Sequence, residues 1–192
     1  MSKSKEDSEK FIKKHCTIGC CGIDCALCPR YYTDGTSKCP GCGGPDFGEK
    51  HPACSFLNCC VNKKGLEVCG ECKEFPCRKY ENENVKKDSF VTHGKMFENQ
   101  GFIKKFGIKK LFEAQKVRVC ILENMLGKYN DGRNKSLYCR TAALLDVQIL
   151  KKAMERAEFE IKSANILEDD FANKGKILRN ILKAEPLAKP FS

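Results

Sequence analysis

Between residues 20 and 29 the chain reads CCGIDCALCP, with four cysteines inside nine positions. Thiols can pair as disulfides, act as nucleophiles, or bind metal ions as thiolates, and spacing helps to tell these roles apart. Three C-x2-C pairs occur: Cys25/Cys28, Cys39/Cys42 and Cys69/Cys72. A two-residue gap lets a tight turn aim both sulphurs at one tetrahedral ion. Gly22, Gly41, Gly43 and Gly70 sit where such turns need a permissive backbone. Further cysteines flank the pairs. Cys21 lies four before Cys25, Cys54 and Cys59 are five apart, and Cys77 is five past Cys72. The pattern predicts metal binding.

The chain has 192 residues and fifteen cysteines, an odd number that cannot pair completely within one chain. The N-terminal stretch MSKSKEDSEKFIKKHC has acidic residues and no apolar h-region, so no secretory signal is expected. No apolar run reaches the length of a membrane span. A cytoplasmic location is therefore expected, with no membrane association. Reducing cytosol disfavours structural disulfides and favours thiolate–metal chemistry.

Four thiolates around zinc make a closed, structural shell. Iron–sulphur clusters use the same ligand. CGIDCALC is a C-x3-C-x2-C run, the spacing by which radical-SAM enzymes hold a cluster, and ALCP echoes the Cys-Pro of bacterial ferredoxins. The chain is too short and too poor in βα repeats for a full radical-SAM barrel. The complete ferredoxin run is also absent. Zinc, as two or three ions, is the expected metal. A [4Fe–4S] cluster on Cys21, Cys25 and Cys28 is the alternative.

The formal charge of +10 is unevenly placed. Residues 1–85 carry 13 Lys+Arg against 12 Asp+Glu, or +1; residues 86–192 carry 22 against 13, or +9. Each zinc held by four thiolates adds −2, because every ligand is ionised. Two such sites would bring the whole chain to about +6, so a modest basic bias remains, and it lies in the second half.

The elements that must position these cysteines are sparse. Residues 16–77 hold thirteen cysteines and only fourteen other apolar residues, Ala and Tyr included. Glycine and proline recur, as in CPGCGGPDFG, and no strand-like alternation persists. So few apolar side chains will not offset the entropy of ordering this segment. A structural zinc site contributes about 10–16 kcal/mol, which could replace the missing core. The expected fold is a small, irregular, zinc-knuckle-like module over 1–85, followed by an α-helical bundle over 86–192. The whole should be mostly α plus loops.

Residues 3–14 are expected to form a short charged helix. Near residue 78 cysteine nearly vanishes and helical periodicity begins. A stripe of Ile108, Leu111, Phe112, Val119, Leu122, Met125 and Leu126 predicts one helix, with Gly127 as its C-cap. Val117 and Ile121 suggest that this helix is covered on a second face. YNDG at 129–132 is a turn, and a second helix should contain Tyr138 to Leu144. Asp146 should cap a third, with Val147, Leu150, Met154, Ala157 and Ile161 inward. Asp169 or Asp170 should cap a fourth, with Phe171, Leu178, Ile181 and Leu182 inward, ended by Pro186. The absence of a long linker suggests that the bundle packs directly on the cysteine-rich part.

In order and spacing, CCGIDCALCPRYY, CPGCGG, CSFLNC and GLEVCGECKEFPCRKYE resemble the family called domain of unknown function 3795. The likeness extends into NQGFIKKFGIKKLFEAQKVRV and NDGRNKSLYCRTAALL. It implies a metal-binding module without an established activity. The family's cysteine pattern falls on Cys21, Cys25, Cys28, Cys39, Cys42, Cys54, Cys59, Cys69, Cys72 and Cys77. Cys16, Cys20 and Cys60 are extra to it. Ten ligands fill neither two four-thiolate sites nor three. Two of the extra three would complete twelve; otherwise two of the ten are free, or a sulphur bridges two metals.

Other residues invite plainer readings. Asp24, between ligands, is expected to make a local side-chain-to-backbone turn rather than act as an acid. His51 and His15 read as solvated loop residues, and Cys120 and Cys139 as small buried hydrophobes. No Ser–His–Asp order, phosphate loop or H-E-x-x-H is present. In KKFGIKK (104–110) the lysines read as a solvated face, and Phe102 and Phe106 as core. Nucleic-acid contact is the weaker reading of that run. The chain thus reads as a non-catalytic metal-binding protein whose helical half offers a surface to an unknown protein partner. An iron–sulphur accessory protein and a nucleic-acid-binding zinc protein are the alternatives.

Overall fold

The computed structural model of the chain describes residues 13–51, 53–81 and 91–186. Most of the helix expected over 3–14 lies outside these residues, and Lys13 and Lys14 are not helical. Among the described residues there is no β-strand; one isolated bridge joins Ile18 and Asp24.

Among the described residues five α-helices build the second half: α1 (Met96–Phe106), α2 (Ile108–Tyr129), α3 (Lys135–Leu144), α4 (Val147–Ser163) and α5 (Phe171–Ala184). Their largest core gathers Leu122, Met125, Tyr138, Leu150, Leu178 and Leu182, all essentially out of contact with solvent. Asp146 caps α4 by accepting from the Gln148 amide at 2.7 Å. Asp170 caps α5 by accepting from Asn173 N–H at 3.0 Å. Both caps match the sequence reading and satisfy donors that a helix start leaves free.

Several expectations are corrected. Gly127 does not end α2, which continues to Tyr129 and is C-capped at Asn130. Tyr129 is buried, and its carbonyl accepts from the Tyr138 hydroxyl at 2.9 Å. That contact draws the last turn into the core, at the modest helix cost of one glycine. Phe171 sits at the mouth of α5, 41% exposed, rather than inward. Val117 is exposed, so only Ile121 of the proposed second face packs on the core. Helix α1 lacked a clear apolar stripe: two of its buried residues are Asn99 and Gln100. Gly107, at φ +84, breaks α1 from α2 where KKFGIKK read as one run. Phe106 is half exposed, while Phe102 packs beside Ile103 and Leu111.

The front segment is made of short turns, including 3-10 turns at Cys25–Leu27 and Cys69–Glu71 and a π turn at Asn58–Lys63. It lies directly on the helices. Leu27 is buried in the main helical core, and Ile18 and Val68 form a small cluster with Ile103 and Leu111. Met96 packs with Cys21 and Tyr80, whose ring meets Phe56, Phe75 and Phe97. No apolar cluster within the front segment alone rivals the helical core in size.

Candidate functional site

Each C-x2-C pair delivers both sulphurs to one place. The turns do this locally: Cys28 N–H donates to Cys25 O at 3.1 Å, and Cys72 N–H to Cys69 O at 2.9 Å. Cys25, Cys28, Cys39 and Cys42 line one cleft together with Cys20, Cys21 and Cys54. Cys59, Cys60, Cys69, Cys72 and Cys77 line a second. All ten cysteines of the sequence-derived set therefore face one of two clefts. Cys20 and Cys60, which the resemblance left out, face them too, whereas Cys16 lines neither.

The clefts meet at a buried knot. Cys20, Cys42 and Cys60 are almost out of contact with solvent and pack with Val61, and Cys69 lies against them. The Cys20 thiol has the Cys42, Cys60 and Cys69 side chains as neighbours in this cluster. Those neighbouring thiols, followed by burial, push its ionisation well up. Cys42 and Cys69 move the other way, with the adjacent Cys20 thiol as the largest influence on each. Cys20 N–H also points at the Cys42 sulphur, at 3.4 Å. In the first cleft, burial is the largest influence on Cys21, Cys25 and Cys28 and raises all three.

The backbone around the knot is fixed from three sides. Cys69 N–H donates to Cys20 O at 2.8 Å and Cys42 N–H to Cys16 O at 2.8 Å. Gln100 donates to Cys20 O at 2.8 Å and accepts from Gly70 N–H at 2.6 Å. Gly22, at φ +97, brings its Cα against the Met96 carbonyl, where a Cβ would collide. Gly41, at φ +85, does the same against Cys16 O.

Charge surrounds the sulphurs as well. Lys13 is buried, and its ammonium bonds Glu67 at 3.3 Å and His15 O at 2.7 Å. It lies close enough to lower the ionisation of Cys42, after the larger effects of neighbouring Cys20 and of burial. Lys64 reaches the Cys72 sulphur at 3.1 Å and Glu74 at 2.8 Å. His51 stacks on Phe47, with centroids 4.5 Å apart, and lines the first cleft.

Asp24 corrects the local-turn reading. Its carboxylate makes no cap of its own turn. It is buried and accepts from Asn99 at 2.9 Å and from Gln115 at 3.0 Å. It is a tie between the cysteine loop and helices α1 and α2. Asn99, Gln100 and Gln115 were missed in the sequence. Gln115 left one signal: it falls on the stripe between Leu111 and Leu122, where a polar side chain needs a buried partner. Cys139 is buried as expected, and burial pushes its thiol up to about 12. Cys120, off the main stripe of its helix, is exposed rather than a buried hydrophobe.

The donor chemistry of the two clefts fits a thiophilic ion. As they stand, however, no three His, Cys, Asp or Glu side chains among the described residues are arranged so as to hold one. The Cys60 thiol instead donates to Leu66 O at 3.4 Å. Nor is any helix among the described residues long and apolar enough to cross a membrane.

No curated protein and no solved structure matches the chain. Residues 17–82, which hold every cysteine of both clefts, match the family described as Protein of unknown function (DUF3795), so this segment of the chain is similar to that family.

Proposed function

We propose that the front segment is a metal-binding module whose cysteines are structural, with zinc as the ion and two or three ions per chain. The observation that carries this reading is the gathering of twelve cysteines into two adjoining clefts, in a segment whose own apolar clusters are small. Twelve thiolates are the complement of three four-thiolate sites. Such sites take the place of an apolar interior in small, loop-rich modules. A reducing, cytoplasmic setting suits free thiols. The helical half would then present a surface to a protein partner, and Phe159 and Leu167, each 71% exposed, support that part of the reading.

The test is anaerobic purification of the full chain under reducing conditions, followed by metal analysis and a visible spectrum. A colourless protein with about two or three zinc ions per chain is expected. The second reading rests on Cys21, Cys25 and Cys28 sharing one cleft. A brown protein with iron and acid-labile sulphide would replace zinc with that reading.

A further inference from the structure

We propose that the bend between α1 and α2 is a docking surface for single-stranded nucleic acid, held by phosphate contacts to lysines and by base stacking on Phe106. The proposal goes beyond the metal-binding reading and stands independently of it. It uses different elements from those that carry Phe159 and Leu167.

Positive charge is concentrated at this bend. From residue 99 to 122 the chain carries six Lys+Arg and one acid, Glu113, a balance of +5. Glu113 is taken by Lys110 at 3.1 Å. Lys104, Lys105, Lys109 and Lys116 are exposed, and none of them forms an ion pair with a described carboxylate. Gly107, at φ +84, ends α1 and opens α2, so two lysine pairs flank one short bend. A Cβ at position 107 would meet open space, so nothing crowds the approach of a chain to that bend. Like charges held this close repel one another, and a polyanion relieves the repulsion.

Charge alone would suit any polyanion; the aromatic rings narrow the choice. Phe106 is half exposed between the two lysine pairs. Phe102 supports it, with ring centroids 4.8 Å apart, and the Lys105 ammonium lies 5.0 Å from its centroid. Further along α2, the Lys116 ammonium lies 4.6 Å from the Phe112 centroid, and His15 meets the same ring at 5.2 Å. Lys109 and Lys116 are two turns apart on one face, about 10 Å along the axis. Cations set beside accessible rings match a polymer that alternates phosphates with flat bases. RNA and single-stranded DNA share that chemistry, whereas a duplex keeps its base faces stacked on one another. A bilayer surface calls for a broad apolar face. Here Ile103 and Leu111 are turned inward with Ile18 and Val68, which leaves lipid little more than the one ring.

The test follows the fluorescence anisotropy of labelled oligouridylate and oligothymidylate, each of about 20 nucleotides, with the full chain purified reduced and freed of nucleic acid. Binding should weaken as salt rises, with a log–log slope of about −3 for four phosphate contacts. Lys104→Gln combined with Lys105→Gln should make that slope shallower by about 1.4. Phe106→Ala should weaken binding about 5- to 150-fold at an unchanged slope, and Phe106→Tyr should restore it. Lys151→Gln combined with Lys152→Gln, exposed on α4, should match wild type. Thermal melting checks that each variant folds; if Phe106→Ala does not, the pair at 104 and 105 decides. The tighter of the two oligonucleotides identifies the polymer. Wild type that binds neither at low salt overturns the proposal. So does an equal loss in the α4 control, a duplex bound as tightly as the single strands, or binding indifferent to both sets of bend variants. Binding of phosphatidylserine vesicles, but not oligonucleotides, that Phe106→Ala abolishes would give the surface to a membrane and also overturn it. Metal analysis plays no part in these outcomes, so the metal-binding reading stands or falls separately.

Discussion

The side chain of Gln100 on helix α1 clamps Cys20: its amide donates to the Cys20 carbonyl at 2.8 Å, and its oxygen accepts from Gly70 N–H at 2.6 Å. One buried amide thus joins two cysteine-bearing turns that lie about fifty residues apart to the helical half. Gln100→Leu removes both bonds. Cys20 O keeps its bond from Cys69 N–H, but the Gly70 N–H is orphaned, at a cost of about 1–3 kcal/mol. Urea unfolding of the reduced protein should show that loss. A variant as stable as wild type would mean that the clamp holds nothing in place.

Gly22 tests the close approach of the cysteine loop to the start of α1. Its φ of +97 disfavours any side chain, and a Cβ there would strike the Met96 carbonyl. Gly22→Ala should lose about 2 kcal/mol or more in thermal or urea unfolding, because backbone rather than a flexible side chain must give way. Gly127→Ala is the contrast. A Cβ there meets open space inside α2, so the change should be neutral or stabilising by up to about 1 kcal/mol. Equal effects from the two substitutions would contradict the packing described.

The helical half should stand on ordinary packing, independent of any ion. Leu122 is fully buried among Met125, Tyr138 and Leu150. Leu122→Ala should cost about 2–5 kcal/mol, with or without chelator present. A cost that vanished when ions were removed would show that this core depends on the front segment.

Asp170 gives a pH signature. Its carboxyl is held below the ordinary value by the Asn173 N–H and the Asn173 side chain. A depressed folded-state value contributes stability that is present above the unfolded value and is lost as pH falls through the folded one. Asp170→Ala should therefore melt below wild type at neutral pH, and the gap should close in acid, below the ordinary 3.8. A gap that persisted unchanged in acid would mean that the cap does not act through its charge.

What the sequence revealed follows from how local each signal is. The caps at Asp146 and Asp170 and the stripes of α2 and α4 are written within a few residues, so they could be read directly. The C-x2-C turns are equally local, and each pair does reach a common cleft. Helix α1 was hidden because part of its buried face is polar, Asn99 and Gln100, chosen to meet backbone far away in the chain. The burial of Cys20 and Cys60 was hidden for the same reason. In Cys20-Cys21 and Cys59-Cys60, adjacency does not say which sulphur turns inward; only the folded chain gathers Cys20, Cys42 and Cys60 into one buried cluster with Cys69 against it. Phe171 and Phe106 misled because apolar type was read as burial, and helix ends often leave such rings in solvent.

The central claim is that bound ions stand in for an apolar core in the front segment. Its most direct test is an amide NMR spectrum of the reduced full chain before and after exhaustive chelation, with ion removal checked by metal analysis. The account predicts that resonances of residues 17–82 collapse to the narrow range of an unfolded chain, while those of α3, α4 and α5 stay dispersed. A front segment that keeps its dispersed resonances with no ion bound would contradict it.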